Sequence, residues 1–121
     1  MKQSFGILMY RIILAELQFL LVHPGGPFFK NKDAGVWSIP KGEGDGKESP
    51  LDTAKREFKE EIGFTPTGKF IELTPILQRG GKTIDIPEVD KGGWFNMEEA
   101  RLKINERQVP LLEELQEIIK K

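Results

Sequence analysis

The chain has 121 residues, 38% hydrophobic and 31% charged, the composition of one soluble globular domain spanning 1–121. Lys and Arg total 18 against 19 Asp and Glu, and the formal net charge of −1 gives no reason to expect a basic face for a nucleic-acid duplex. Cysteine is absent, which excludes disulfides, thiolate zinc sites and cysteine nucleophiles, and the single histidine, His23, excludes a histidine-based metal cluster.

The apolar stretch from Phe5 to Val22 is interrupted by Arg11, Glu16 and Gln18, and no small-residue cleavage site follows it. Neither a leader nor a membrane span is expected, and the expected location is the cytoplasm. The stretch reads as two buried strands, Phe5–Arg11 and Leu17–His23, with a turn near Ala15-Glu16. Pro24-Gly25-Gly26-Pro27 breaks any ladder and makes a loop. Val36–Ile39 reads as a short strand, and Lys41–Lys47, with Gly42, Gly44 and Gly46, as a flexible loop. The clearest helix follows. Ser49 is a good N-cap paired with Asp52, Pro50 suits the first helical position, Leu51, Ala54, Phe58 and Ile62 share one face, and Gly63 is a natural stop. Beyond it, Gly68–Leu73 and Ile76–Gln78 read as strands, Gly80-Gly81 as a turn and Trp94-Phe95 as a short strand end. Asn96 with Glu99 caps a short helix over Met97–Leu102, and Pro110 opens a last helix with an apolar stripe of Leu111, Leu112, Leu115, Ile118 and Ile119. Strands, a helix, more strands and terminal helices imply an α/β (α+β) sandwich.

The chemistry concentrates in Arg56-Glu57-Phe58-Lys59-Glu60-Glu61. At 100° per residue, Glu57, Glu60 and Glu61 share one sector beside the apolar stripe, in the last turns before Gly63. Carboxylates there oppose the negative end of the helix dipole, each costing ~0.3–1 kcal/mol when exposed. Glu57 and Glu61, at i,i+4, add like-charge repulsion. Two readings follow: a solvated face with Arg56 bridging Glu60, or a set of oxygen ligands awaiting a cation.

The spacing around the helix discriminates between them. Gly42, five residues, Glu48, seven residues, then Arg56-Glu57-Phe58, one residue, Glu60-Glu61, one residue and Gly63-Phe64 is a complete Nudix box, and the chain resembles the Nudix hydrolases. Upstream, Leu20-Leu21-Val22-His23-Pro24-Gly25-Gly26-Pro27 and the run Trp37-Ser38-Ile39-Pro40-Lys41-Gly42 resemble the members that cleave diadenosine polyphosphates; Pro87-Glu88-Val89-Asp90 before Trp94-Phe95 is similar as well.

The resemblance implies a Nudix-type α/β/α sandwich on a mixed β-sheet. It implies Mg²⁺- or Mn²⁺-dependent cleavage of a phosphoanhydride in a nucleoside diphosphate linked to another group, with a dinucleoside polyphosphate or nucleoside triphosphate as substrate. Glu57, Glu60 and Glu61 would ligate metal together with the backbone carbonyl near Gly42; Glu60 is either a ligand or the base that activates water. Arg56 would orient a glutamate, and Glu48 would fix the loop onto the helix. Some members place the general base outside the box; Glu88 is the candidate for it here, and Lys41, Arg79 and Lys82 are the candidates for contacts to the polyphosphate. Phe58 and Phe64 would be core residues, Trp37 and Tyr10 core packing rather than base-stacking groups, and His23 a strand-end residue with a satisfied hydrogen bond.

One departure stands out. Only Thr83–Ile86 separate Gly80-Gly81-Lys82 from Pro87-Glu88-Val89-Asp90, where similar proteins carry a further strand and a long loop. A sheet one strand short exposes an edge. A second copy in a homodimer, a re-paired segment or impaired activity are the three consequences. The alternative function is therefore a catalytically impaired Nudix-fold nucleotide-binding or regulatory domain.

Overall fold

A computed structural model describes residues 3–44, 46–76 and 89–120. Those residues form strands β1 (Ser4–Gly6), β2 (Tyr10–Ile13), β3 (Glu16–Pro24), β4 (Lys41–Glu43) and β5 (Val89–Asn96), and helices α1 (Pro50–Ile62), α2 (Met97–Lys103) and α3 (Val109–Lys120), with a 3-10 turn over Glu106–Gln108. The central sheet has the order β2-β3-β5, and a smaller sheet pairs β1 with β4. These ladders are antiparallel. A parallel bridge joins Trp37 to Ile104, and an antiparallel one joins Ser38 to Val22.

The alternation of β3 decides the layers. Phe19 and Leu21 point to a core shared with Trp37, Ile39, Ala100, Ile104, Leu111, Leu112 and Leu115, so α2 and α3 cover that face. Leu20 points to the other side, where Ile62 of α1 lies against Leu20 and Gly92. The result is an α+β sandwich with α1 on one face of the central sheet and α2 and α3 on the other.

Several elements depart from the sequence expectation for local reasons. The first strand divides. Gly6 lies under Pro40, whose carbonyl would stand 2.6 Å from a Cβ there, and pairs with Lys41, whereas Tyr10 pairs with Phe19. The chain thus exchanges partners between β1 and β2. The β2–β3 turn is Leu14-Ala15, one residue earlier than expected, with both residues at positive φ (50° and 66°), the handedness that a two-residue hairpin demands. Among the described residues Val36–Ile39 makes two isolated bridges, and Pro40 has no N–H to continue a ladder. Lys41–Glu43 is a strand rather than a flexible loop.

Gly68–Leu73 forms no strand. That segment is irregular and is tied to α3 by Thr74, whose N–H and hydroxyl both donate to Glu114 at 2.6 Å. Ile76 is likewise outside any strand, and Leu77, Gln78 and the Gly80-Gly81 turn fall outside the described residues, as does the short Thr83–Ile86 stretch. Trp94-Phe95 ends a strand of eight residues, longer than expected. Leu51 is exposed at the first turn of α1, and Thr53 is buried there instead. Ile118 and Ile119 are only part-buried. Tyr10, expected in the core, is exposed on β2, an edge strand among the described residues.

The approach to β4 hangs on one buried polar side chain. Gln108 accepts from the Ile39 N–H at 3.0 Å and donates to Ser38 Oγ at 3.0 Å. Gln108→Ala should leave the Ile39 N–H unpaired in the interior and cost about 1–3 kcal/mol, read as a melting temperature several degrees lower by calorimetry.

Candidate active site

Helix α1 carries the site, and its ends are fixed locally. Ser49 Oγ accepts from the Asp52 N–H at 3.1 Å. Gly63 takes a left-handed φ of 101° and donates its N–H to the Lys59 carbonyl at 2.8 Å. Thr53, Ala54 and Phe58 are buried, which fixes the rotation of the helix and turns the glutamates toward β4 and β5. Phe64, expected in the core, is half exposed and meets Phe58 edge-on with ring centroids 5.5 Å apart.

Arg56 is the hub. Its Nε donates to Glu48 Oε1 and Oε2 at 3.0 and 3.2 Å, and its Nη1 donates to Glu57 Oε1 at 3.0 Å and Glu60 Oε1 at 3.3 Å. These bonds, Glu48 foremost, hold the guanidinium well above its ordinary pKa. Glu48 also accepts from Thr53 Oγ1 at 3.4 Å, so it joins the glycine-rich segment to the helix. Gly42 is required by Glu57: a Cβ there would stand 2.1 Å from the Glu57 carboxyl carbon. The missing side chain lets that carboxylate lie directly against β4.

Glu61 is different. It is part-buried, and its Oε2 is buried without a hydrogen-bond partner. Its pKa is pushed up to about 7, first by burial and then by the charge of Glu57; the Lys41 backbone N–H and ammonium oppose the shift, and Glu60 adds to it. An orphaned oxygen held beside two like charges has the donor chemistry that a hard divalent cation takes. The spacing is nevertheless open: among the described residues no three carboxylate or imidazole groups converge as a closed metal cage. Arg56 occupies oxygens of Glu57 and Glu60 instead.

Of the residues expected at the site, Glu57, Glu60, Glu61, Arg56, Gly42 and Lys41 are brought together at the junction of α1 and β4. Arg79, Lys82 and Glu88 fall outside the described residues. Trp37 is 4% exposed, with its ring edge-on to Phe95 at 4.9 Å, so it is core and offers no face to a base. A cavity of about 330 Å³ opens beside Glu61, lined by Leu20, Ile62, Phe64, Asp90, Lys91 and Trp94 among others. Sequence reasoning missed Asp90 and Lys91. The only available signal was the position of Asp90 in the Pro-Glu-Val-Asp run, two residues past Glu88.

The sequence profile described as NUDIX domain matches residues 4–115. The chain belongs to the Nudix family. Solved structures with the same fold include Ap4A hydrolase of C. elegans in a binary complex, 23% identical, with a TM-score of 0.76 over 99% of this chain and 98% of that one. They also include the Nudix hydrolase RenU of M. smegmatis, 16% identical, with a TM-score of 0.67 over 97% of this chain and 85% of that one. Shewanella oneidensis NrtR, complexed with a 27mer DNA, is 18% identical, with a TM-score of 0.64 over 96% of this chain and 61% of that one. No curated protein sequence matches. The Nudix fold accordingly extends over nearly the whole chain, with α1 as its box helix.

The raised pKa of Glu61 has a direct consequence for the Nudix domain without metal. Between the unfolded value near 4.5 and about 7, the folded state binds the extra proton, so stability is fully present below that window and is lost as pH rises through it. In chelator, the melting temperature should fall between pH 5 and 8, and Glu61→Gln should flatten that slope; thermal melts across the range check this.

Proposed function

We propose that this Nudix domain is a divalent-cation-dependent hydrolase. It would cleave a phosphoanhydride of a nucleoside diphosphate linked to another group, with dinucleoside polyphosphates or nucleoside triphosphates as the substrate class. The observation that carries the reading is the orphaned, part-buried carboxyl of Glu61 beside Glu57 and Glu60. A helix selected for stability alone has no use for three carboxylates at its negative end.

In this reading Glu57, Glu60 and Glu61 supply oxygen ligands to Mg²⁺ or Mn²⁺, and a bound cation polarises phosphoryl oxygens and acidifies water. Arg56 keeps Glu57 and Glu60 oriented while their charges are unneutralised. The reaction is attack of a water oxygen on phosphorus with rupture of the bridging P–O bond, and a carboxylate takes the water proton. Glu60 is the most exposed of the three glutamates and is our candidate for that base, with Glu88, outside the box, as the alternative base. The Lys41 ammonium beside Glu61 meets phosphate charge, and Arg79 and Lys82 extend the same role. The cavity beside Glu61, about 330 Å³, has the size of a small-ligand site. No described helix is long and apolar enough to cross a membrane; a cytoplasmic enzyme, as a monomer or homodimer, fits this substrate class.

A second reading is a nucleotide-binding domain without turnover. The grip of Arg56 on Glu57 and Glu60, and the open spacing of the carboxylates, favour it. Both readings are tested by offering diadenosine tetraphosphate, nucleoside triphosphates and nucleotide sugars with Mg²⁺ and separating products by anion exchange. Hydrolysis of one class is expected, with Glu60→Gln lowering kcat about 10²-fold or more at an unchanged melting temperature. Tight nucleotide binding by calorimetry with no product would establish the second reading instead.

A further inference from the structure

His23 lies outside the glutamate face, yet it is the most thoroughly bonded titratable side chain in the interior. It is 3% exposed. Its Nδ1 lies 2.9 Å from Asp90 Oδ1 and its Nε2 2.6 Å from the Lys32 carbonyl oxygen. Both ring nitrogens are thus engaged at once, one by β5 and one by the loop. The Asp90 side chain is 45% exposed.

The backbone is arranged for this contact. The β3–β5 register runs His23 to Lys91 and then slips, pairing Pro24 with Val89, so Asp90 has no partner across the ladder. A bulge of this kind re-aims a side chain, and here the re-aimed carboxylate meets His23. The other charges around the imidazole are already engaged. Asp33 accepts from Trp37 Nε1 at 2.9 Å and pairs with Lys103 of α2. The Lys91 ammonium sits 5.8 Å from the Trp37 ring centroid, and the Lys32 ammonium lies over Phe28 at 3.6 Å. The Trp37 ring itself meets the imidazole edge-on at 5.2 Å.

We propose that His23 clasps three segments, the end of β3, the loop carrying Lys32 and the bulged start of β5, and so positions the cavity wall that Asp90 and Lys91 present beside Glu61. It is a positioning residue that acts through Asp90. Its role in turnover rests on the hydrolase reading above; its contacts do not.

His23 is the only histidine, so its ring signals are unambiguous in ¹H–¹⁵N spectra. A ring N–H held between these partners should exchange slowly with solvent, and Asp90→Ala should speed that exchange. A ring N–H that exchanges as fast as that of an exposed imidazole would overturn the clasp whether or not the protein turns over substrate. If the hydrolase reading holds, Asp90→Ala should raise KM about fivefold or more with kcat little changed, the pattern of lost binding geometry rather than lost chemistry. An unchanged KM in folded Asp90→Ala would refute the positioning role. Asp90 is exposed enough for this variant to fold, and His23→Gln adds a second probe of the same wall.

Discussion

The constraint on which this structure turns is the crowding of like charge at the end of α1. Glu57, Glu60 and Glu61 lie where the helix dipole and their mutual repulsion both oppose them. The surroundings are organised to tolerate them. Arg56 divides its donors among Glu48, Glu57 and Glu60, Gly42 gives up its side chain so that the Glu57 carboxylate can lie against β4, and the Lys41 backbone supports Glu61. One oxygen, Glu61 Oε2, is left without a partner. Among the described residues it is the one buried side-chain oxygen or nitrogen without a hydrogen-bond partner.

The remainder of the fold serves this helix. Phe58 fixes its rotation, the β1–β4 pair carries Gly42 to it, and Gln108 anchors the segment that leads into β4. On the opposite side, β5 runs antiparallel to β3 and presents Asp90, Lys91 and Trp94 to the same cavity that Glu61 lines. The two walls are held by different chemistry: a cation shared among carboxylates on α1, and a histidine–aspartate pair at the bulge of β5.

Much of this was legible from the residues because the signals were local. Helix α1, with Ser49 and Gly63 at its ends, and α2, with its Asn96–Glu99 capping box, follow from short-range hydrogen bonds that a few residues encode. The box spacing gave the glutamate face and the family. What the sequence hid was long-range. The exchange of partners between β1 and β2 depends on Pro40 lying across Gly6, and the pairing of Lys41–Glu43 depends on Ser4–Gly6, nearly forty residues away in the chain. Gly68–Leu73 carries a strand-like composition, but Thr74 is bound to Glu114 of α3 and the segment joins no ladder. Asp90 was passed over because its role comes from a register slip, which leaves no mark in the composition.

The cation site proposed for the α1 glutamates depends on Glu61, whose Oε2 has no protein partner. The most direct measurement is calorimetric titration of Mn²⁺ at a pH just below 7, repeated in two buffers of different ionisation enthalpy. Because the Glu61 carboxyl is held at about 7, binding should release a proton, up to about one per cation, and that release should vanish in Glu61→Gln. No heat at millimolar Mn²⁺, or the same proton release with and without the Glu61 carboxylate, would contradict the account.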